Sequence, residues 1–102
     1  MNPQRTKELF FNKCDDNLAE EAMKLLQNEP LCPFLDAINI SEERFGQVKK
    51  LYIECLSDNA VLPEDQKRMY GKLFCNIVSL DSDHFPSLSN PKGLADILLS
   101  KL

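Results

Sequence analysis

Two short strand-forming runs separated by one helix-length segment limit what this chain can fold into more than any other feature. Val48 to Leu56, Val-Lys-Lys-Leu-Tyr-Ile-Glu-Cys-Leu, is rich in β-formers and runs into the turn-forming Ser57, Asp58 and Asn59. Cys75 to Leu80 is a second apolar run, with Ile77 and Val78 at its centre. Between them Pro63, followed by Glu64 and Asp65, opens a helix predicted to continue through Met69 and Tyr70 to about Leu73. A connection of that length is a crossover, and it makes the two strands parallel. Pro91 opens a last helix in which Leu94, Ile97, Leu98 and Leu102 recur at i, i+3, i+4 and i+8, the stripe of a helix laid on a sheet. Parallel strands normally have both faces covered, and a two-stranded sheet has little stability of its own. This βαβα unit therefore asks for a larger sheet than the chain supplies.

The first half reads differently. From Thr6 to about Gln27 the pattern is helical, with Leu9, Phe10, Leu18, Ala22 and Leu25 spaced to line one face. Asp15, Asp16 and Asn17 divide it into two short helices, because their side chains compete for backbone amides and cap helix starts. Pro30 and Pro33 predict an extended passage through Leu31, Cys32, Phe34 and Leu35. Ser41 then suggests a cap for one helical turn through Glu42, Glu43 and Arg44, stopped by Gly46. The division is thus a helical segment, 1–46, and a βαβα unit, 47–102.

Composition narrows the function classes. The chain has 102 residues, 27% charged and 43% apolar, which is ordinary for a packed globular protein. At this size folding buries only about two-thirds of the unfolded surface, so a missing neighbour would be felt. The formal charge of −4 comes with no cationic run longer than Lys49-Lys50 or Lys67-Arg68, which argues against a nucleic-acid partner. No stretch approaches the roughly 20 apolar residues of a membrane span, so no membrane partner is expected. Gln4, Arg5, Lys7 and Glu8 do not resemble a signal peptide, and the expected compartment is cytoplasmic. Cys14, Cys32, Cys55 and Cys75 lie too far apart for the short pairs of zinc sites, and they read as free thiols with no metal or cofactor.

Functional side chains in parallel sheets collect beyond the carboxyl ends of the strands. Asp58 lies just past the first strand and His84 a short loop past the second, and neighbouring strands about 4.8 Å apart can bring a carboxylate and an imidazole together there. Asp81 and Asp83 are too near His84 in sequence to come from a neighbouring strand end. An acid after one strand and a histidine after the next reproduce the late part of the serine, acid, histidine order of α/β-hydrolases. In such a site the carboxylate fixes the imidazole tautomer, and the imidazole takes the serine proton and returns it to the leaving group. A lone histidine in a polar loop also suits a solvent-facing position, and Asp58 suits an ordinary turn, so periodicity by itself leaves both readings open.

Longer segments carry a family resemblance. Leu51 to Gln66 is similar to the acid-bearing segment of the methylesterase and hydroxynitrile lyase group of α/β-hydrolases, with Asp58, Pro63, Glu64 and Gln66 matching and Leu62 as one extra residue. Ser79 to Leu99 resembles the group as well, with Asp83-His84 in place of its histidine motif and Asn90-Pro91-Lys92-Gly93-Leu94 opening the last helix. Leu18-Ala19-Glu20, Pro30-Leu31-Cys32-Pro33-Phe34 and Arg44-Phe45-Gly46 resemble the end of its cap domain. The resemblance implies an α/β fold class: the end of a helical cap, then the β-α-β-α carboxy-terminal portion of an α/β-hydrolase with two parallel strands. It implies Asp58 and His84 as catalytic acid and base. It also implies that Leu31, Phe34 and Leu35 line an acyl, substrate-binding pocket, with plain packing under the cap as the other reading.

The chain departs from the group at the nucleophile. Its only glycines are Gly46, Gly71 and Gly93, none placed to make the Gly-x-Ser-x-Gly elbow, and no glycine-rich loop supplies oxyanion-hole amides. The expectation is a carboxy-terminal fragment or truncated relative of a serine carboxylic-ester hydrolase, inactive by itself. One alternative is half of a complete esterase or lyase acting on a small ester, completed by an amino-terminal segment or a complementary chain. Another is a non-enzymatic binding module, or a homodimer paired through the exposed strand edge.

Overall fold

The computed structural model describes residues 2–101, so Leu102, the last member of the apolar stripe, lies outside the described residues. The chain opens with a helical hairpin. Helix α1, Pro3–Phe10, starts where the Asn2 side chain accepts from the Gln4 N–H at 2.8 Å, with Pro3 at a position that needs no amide hydrogen. Helix α2, Asp16–Lys24, starts where Asp15 accepts from the Leu18 N–H at 2.8 Å, so the acidic cluster does divide the helical stretch in two. Lys7 on α1 pairs with Asp16 on α2 and closes the hairpin.

The passage at Pro30 and Pro33 is not extended as the sequence suggested. Cys32–Leu35 forms a single turn, α3, with Pro33 in its first positions. There the missing amide hydrogen costs nothing, so this proline starts a helical turn instead of preventing one. Ser41 does not cap a helix stopped by Gly46 either: its carbonyl accepts from the Gly46 N–H at 2.9 Å, and Gly46 sits inside a 3-10 turn, Phe45–Gln47.

Strand β1, Leu51–Cys55, is shorter than its β-forming run, and just before it the Lys50 ammonium donates to the Phe45 carbonyl at 2.7 Å and lies over the Phe45 ring. Helix α4, Pro63–Tyr70, crosses over to β2, Asn76–Leu80, and the strands pair in parallel from Leu51 opposite Asn76 to Cys55 opposite Leu80. Alternation puts Tyr52 and Glu54 on the α4 face, where the Tyr70 hydroxyl donates to Glu54 at 2.8 Å and the rings of Tyr52 and Tyr70 meet at 4.9 Å. Helix α6, Pro91–Ser100, packs against β2 through Leu80. It is capped by Asn90, which accepts from the Gly93 N–H at 3.0 Å, and a Cβ on Gly93 would stand 2.8 Å from Leu80 Cδ1. The polar stretch before it holds one unforeseen turn of helix, α5, Pro86–Ser89.

Gln66 closes part of the outer edge of β1. Its side-chain amide accepts from the Cys55 N–H and donates to the Cys55 carbonyl, both at 2.9 Å, as a neighbouring strand would. Leu51 and Ile53 point their backbone groups out along that same edge, by the alternation of a parallel ladder. The buried apolar cluster lies elsewhere, at the carboxyl end of the sheet, where Phe11, Cys14 and Ala19 pack with Phe85 and Leu88. The helical hairpin therefore rests on the loop that follows β2.

Candidate functional site

Pairing continues past the strands. The Leu56 N–H donates to the Leu80 carbonyl and the Ser57 N–H to the Ser82 carbonyl, each at 3.0 Å, so the two strand exits stay side by side until the residues that matter. Asp58 then turns inward and is 5% exposed. Its Oδ1 accepts from the Ala60 and Val61 amides at 2.8 and 2.9 Å, an aspartate turn that fixes the carboxylate before anything else touches it.

His84 comes to that carboxylate from the neighbouring exit. Its Nδ1 stands 3.0 Å from Asp58 Oδ2 and 3.2 Å from Oδ1. An ionised carboxylate only accepts, so Nδ1 carries the hydrogen and Nε2 keeps its lone pair. The ring is about one-third exposed and is held edgewise by Phe10 and Phe85, with centroids at 5.3 and 5.1 Å. Such an imidazole can take a proton at Nε2 while the carboxylate stabilises the resulting cation.

Leu31, Phe34 and Leu35 are not enclosed. Leu31 stands at the start of α3 and Phe34 and Leu35 lie on it, at 66, 73 and 70% exposure. A cleft of about 390 Å³ opens instead between α1 and α2, lined by Thr6, Phe10, Met23 and Leu26 among others, and Phe10 is shared between this cleft and the His84 ring. Among the described residues no group of three or more histidine, cysteine, aspartate or glutamate side chains is arranged to hold a metal ion. All four cysteines are free: Cys14 and Cys55 buried, Cys75 half-buried and Cys32 exposed.

Sequence reasoning passed over three residues that hold this site. Asp83, set aside for its closeness to His84, is completely buried. Its Oδ1 accepts from the Phe85 N–H at 2.9 Å, and its Oδ2 accepts from the Lys13 N–H at 3.1 Å and the Cys14 thiol at 3.4 Å. Burial, then the charge of Asp83, pushes the Cys14 thiol up to about 11. Asn12 Nδ2 donates to the Ser57 carbonyl, and Asn59 Nδ2 to the Glu8 carbonyl, each at 2.8 Å. Only the bond from Phe85 to Asp83, an aspartate turn spanning two residues, had a local signal that a closer reading would find.

No family model matches the chain. It is 31% identical over 98 residues to the chloroplastic protein named methylesterase 12 of Arabidopsis thaliana, covering 94% of this chain and 28% of that protein. Methylesterase 2 of the same plant is 32% identical over 82 residues, covering 74% of this chain and 31% of the relative. The chain thus spans less than a third of the length of these curated relatives. The crystal structure of polyneuridine aldehyde esterase superimposes with a TM-score of 0.87 at 28% identity, over 98% of this chain and 41% of that one.

Proposed function

The chain corresponds to the carboxy-terminal part of the α/β-hydrolase fold shared by methylesterases and polyneuridine aldehyde esterase, and from that premise we propose that Asp58 and His84 are the acid and base of a serine-type ester hydrolase. The observation that carries this reading is the Nδ1 to Oδ2 contact of 3.0 Å. It leaves Nε2 as the free basic nitrogen of a half-buried, tautomer-fixed imidazole. In the complete reaction Nε2 takes the proton from a serine hydroxyl as that oxygen attacks the ester carbonyl, then returns it to the departing alcohol. The relatives' names make methyl esters the first substrates to try.

The serine is the part this chain does not bring. None of its serines stands in a Gly-x-Ser-x-Gly elbow. Ser82, the one nearest His84 in sequence, is buried with its hydroxyl donating to the Asp83 carbonyl at 3.1 Å. Acid and base without nucleophile and oxyanion hole have nothing to activate. The segment that supplies them is the remainder of the sheet, on the same polypeptide or on a complementary one. The outward-pointing backbone of Leu51 and Ile53, and apolar side chains as exposed as Ile38 at 85%, support a surface built to be covered. Once covered, α3 can bring Leu31, Phe34 and Leu35 to an acyl pocket.

The test compares hydrolysis of a methyl ester by the chain alone with hydrolysis after co-expression with the serine-bearing portion of a methylesterase. The chain alone stays at the buffer rate, and the combined protein turns over and loses that turnover with His84→Ala. A product burst from the isolated chain that His84→Ala abolishes overturns the claim that a nucleophile is missing. Combined activity indifferent to His84→Ala overturns the base assignment.

A further inference from the structure

Asp58 and His84 come from adjacent strand exits, yet the groups that grip both exits belong to one short segment at the far end of the sequence. Residues 8–14, the end of α1 and the connection to α2, touch the acid loop twice, through the Asn59 amide on the Glu8 carbonyl and the Asn12 amide on the Ser57 carbonyl, both at 2.8 Å. The same segment holds the base loop through the Lys13 N–H and the Cys14 thiol on Asp83. Phe10 meets the imidazole edgewise, and Phe11, 1% exposed, stacks on Phe85 at 5.1 Å. The loops on either side of the pair are thus anchored to one element.

We infer that residues 8–14 form a clip that holds Asp58 and His84 in register, with Asp83 as its anchor and a positioning residue for the imidazole. The inference rests on the acid and base assignment proposed above. Asp83 suits the role because both of its oxygens are engaged, Oδ1 locally by Phe85 and Oδ2 by Lys13 and Cys14, at 70 and 69 residues' separation. An asparagine of the same shape has one acceptor oxygen, so whichever way it turns its amide group meets a backbone N–H. The Cys14 thiol, held well above its ordinary range, stays a donor through neutral pH. The clip is therefore specific for a carboxylate, and its loss frees the residue immediately before His84.

The chain has a single histidine, so every imidazole signal in a histidine-labelled sample belongs to His84. Nitrogen-resolved NMR of the full chain reports the tautomer and the exchange rate of the Nδ1 proton. The wild type is expected to show an Nδ1-protonated ring with a slowly exchanging proton. Asp83→Asn is expected to speed that exchange at least tenfold and to admit the Nε2-protonated form, with the far-ultraviolet circular dichroism unchanged. Asn12→Ala, which cuts one of the two links to the acid loop and none to the base loop, is expected to speed exchange about threefold, and it decides the matter if Asp83→Asn does not fold. Exchange and tautomer as in the wild type, in Asp83→Asn or, should that not fold, in Asn12→Ala, overturn the clip. Asp58→Asn separates the two ideas: a wild-type ring already indistinguishable from this variant removes the acid and base assignment and the clip with it. A signal lost in Asp58→Asn but kept in the clip variants removes the clip alone.

Discussion

The two ends of the sheet are finished to different degrees. At the carboxyl end Asp58, Leu80, Ser82 and Asp83 are all buried, and the connection between α1 and α2 reaches this rim through the Asn12 side chain on the Ser57 carbonyl and through the Lys13 N–H and Cys14 thiol on Asp83. At the amino end Val48 is 57% exposed and Phe74 is 99% exposed. The difference separates two kinds of incompleteness. The rim where Asp58 and His84 meet is assembled by the chain itself, whereas apolar side chains at the other end are left exposed. Local geometry at one end of a sheet is thus fixed while apolar surface at the other end stays uncovered.

The strongest way to break this contrast is to truncate one apolar residue at each end. Phe11→Ala opens a cavity in the buried cluster of Phe11, Cys14 and Ala19 and is expected to cost about 3–5 kcal/mol, read from urea or thermal unfolding. Phe74→Ser, at the open end, is expected to leave the isolated chain within about 0.5 kcal/mol of wild type while weakening capture of the serine-bearing portion. Equal losses from both would show the amino end to be packed after all.

Gln66 sharpens the comparison, because it sits where the finished end gives way to the open edge. Gln66→Leu leaves the buried Cys55 N–H without a partner and its carbonyl with only the long bond from the Asp58 N–H at 3.4 Å, and a loss of about 2 kcal/mol is expected. Hydrogen exchange at Cys55 should speed up while that at Asp83 does not. A variant as stable as the wild type, with Cys55 still protected, would mean that this edge is satisfied some other way.

A smaller effect separates the ends by pH. The Cys14 thiol is pushed up to about 11 from an ordinary 9.0, so the folded state prefers it protonated more strongly than the unfolded chain does. Its contribution to stability is complete below pH 9 and is lost as the pH rises from about 9 towards 11. The difference in unfolding midpoint between wild type and Cys14→Ala should therefore shift over that window in favour of the variant. In an alkylation time course at pH 8 the exposed Cys32 labels first and Cys14 last. Cys14 labelling as fast as Cys32 would show that the clip opens readily.

Much of the architecture could be read from the chain because its causes are local. Asp15, Pro63 and Pro91 begin helices by supplying or sparing hydrogen bonds within a single turn. The β-forming runs and the length of the crossover made the strands parallel, which put Asp58 and His84 at one rim. Pro33 shows where this logic slips: the same missing amide hydrogen that disfavours a helix interior is harmless in a first turn, and the neighbours do not say which applies.

What the sequence by itself determined, then, is the order of elements, the parallel pairing and the two side chains at the strand ends, all consequences of capping, alternation and connection length. Only the tertiary structure decided that residues 8–14 close over those ends, that Asp83 is a buried anchor and that Gln66 stands in for a strand. The physical reason is range: the bonds that Asn12 and Lys13 make span 45 and 70 residues, and no periodicity or local propensity encodes a partner that far along the chain.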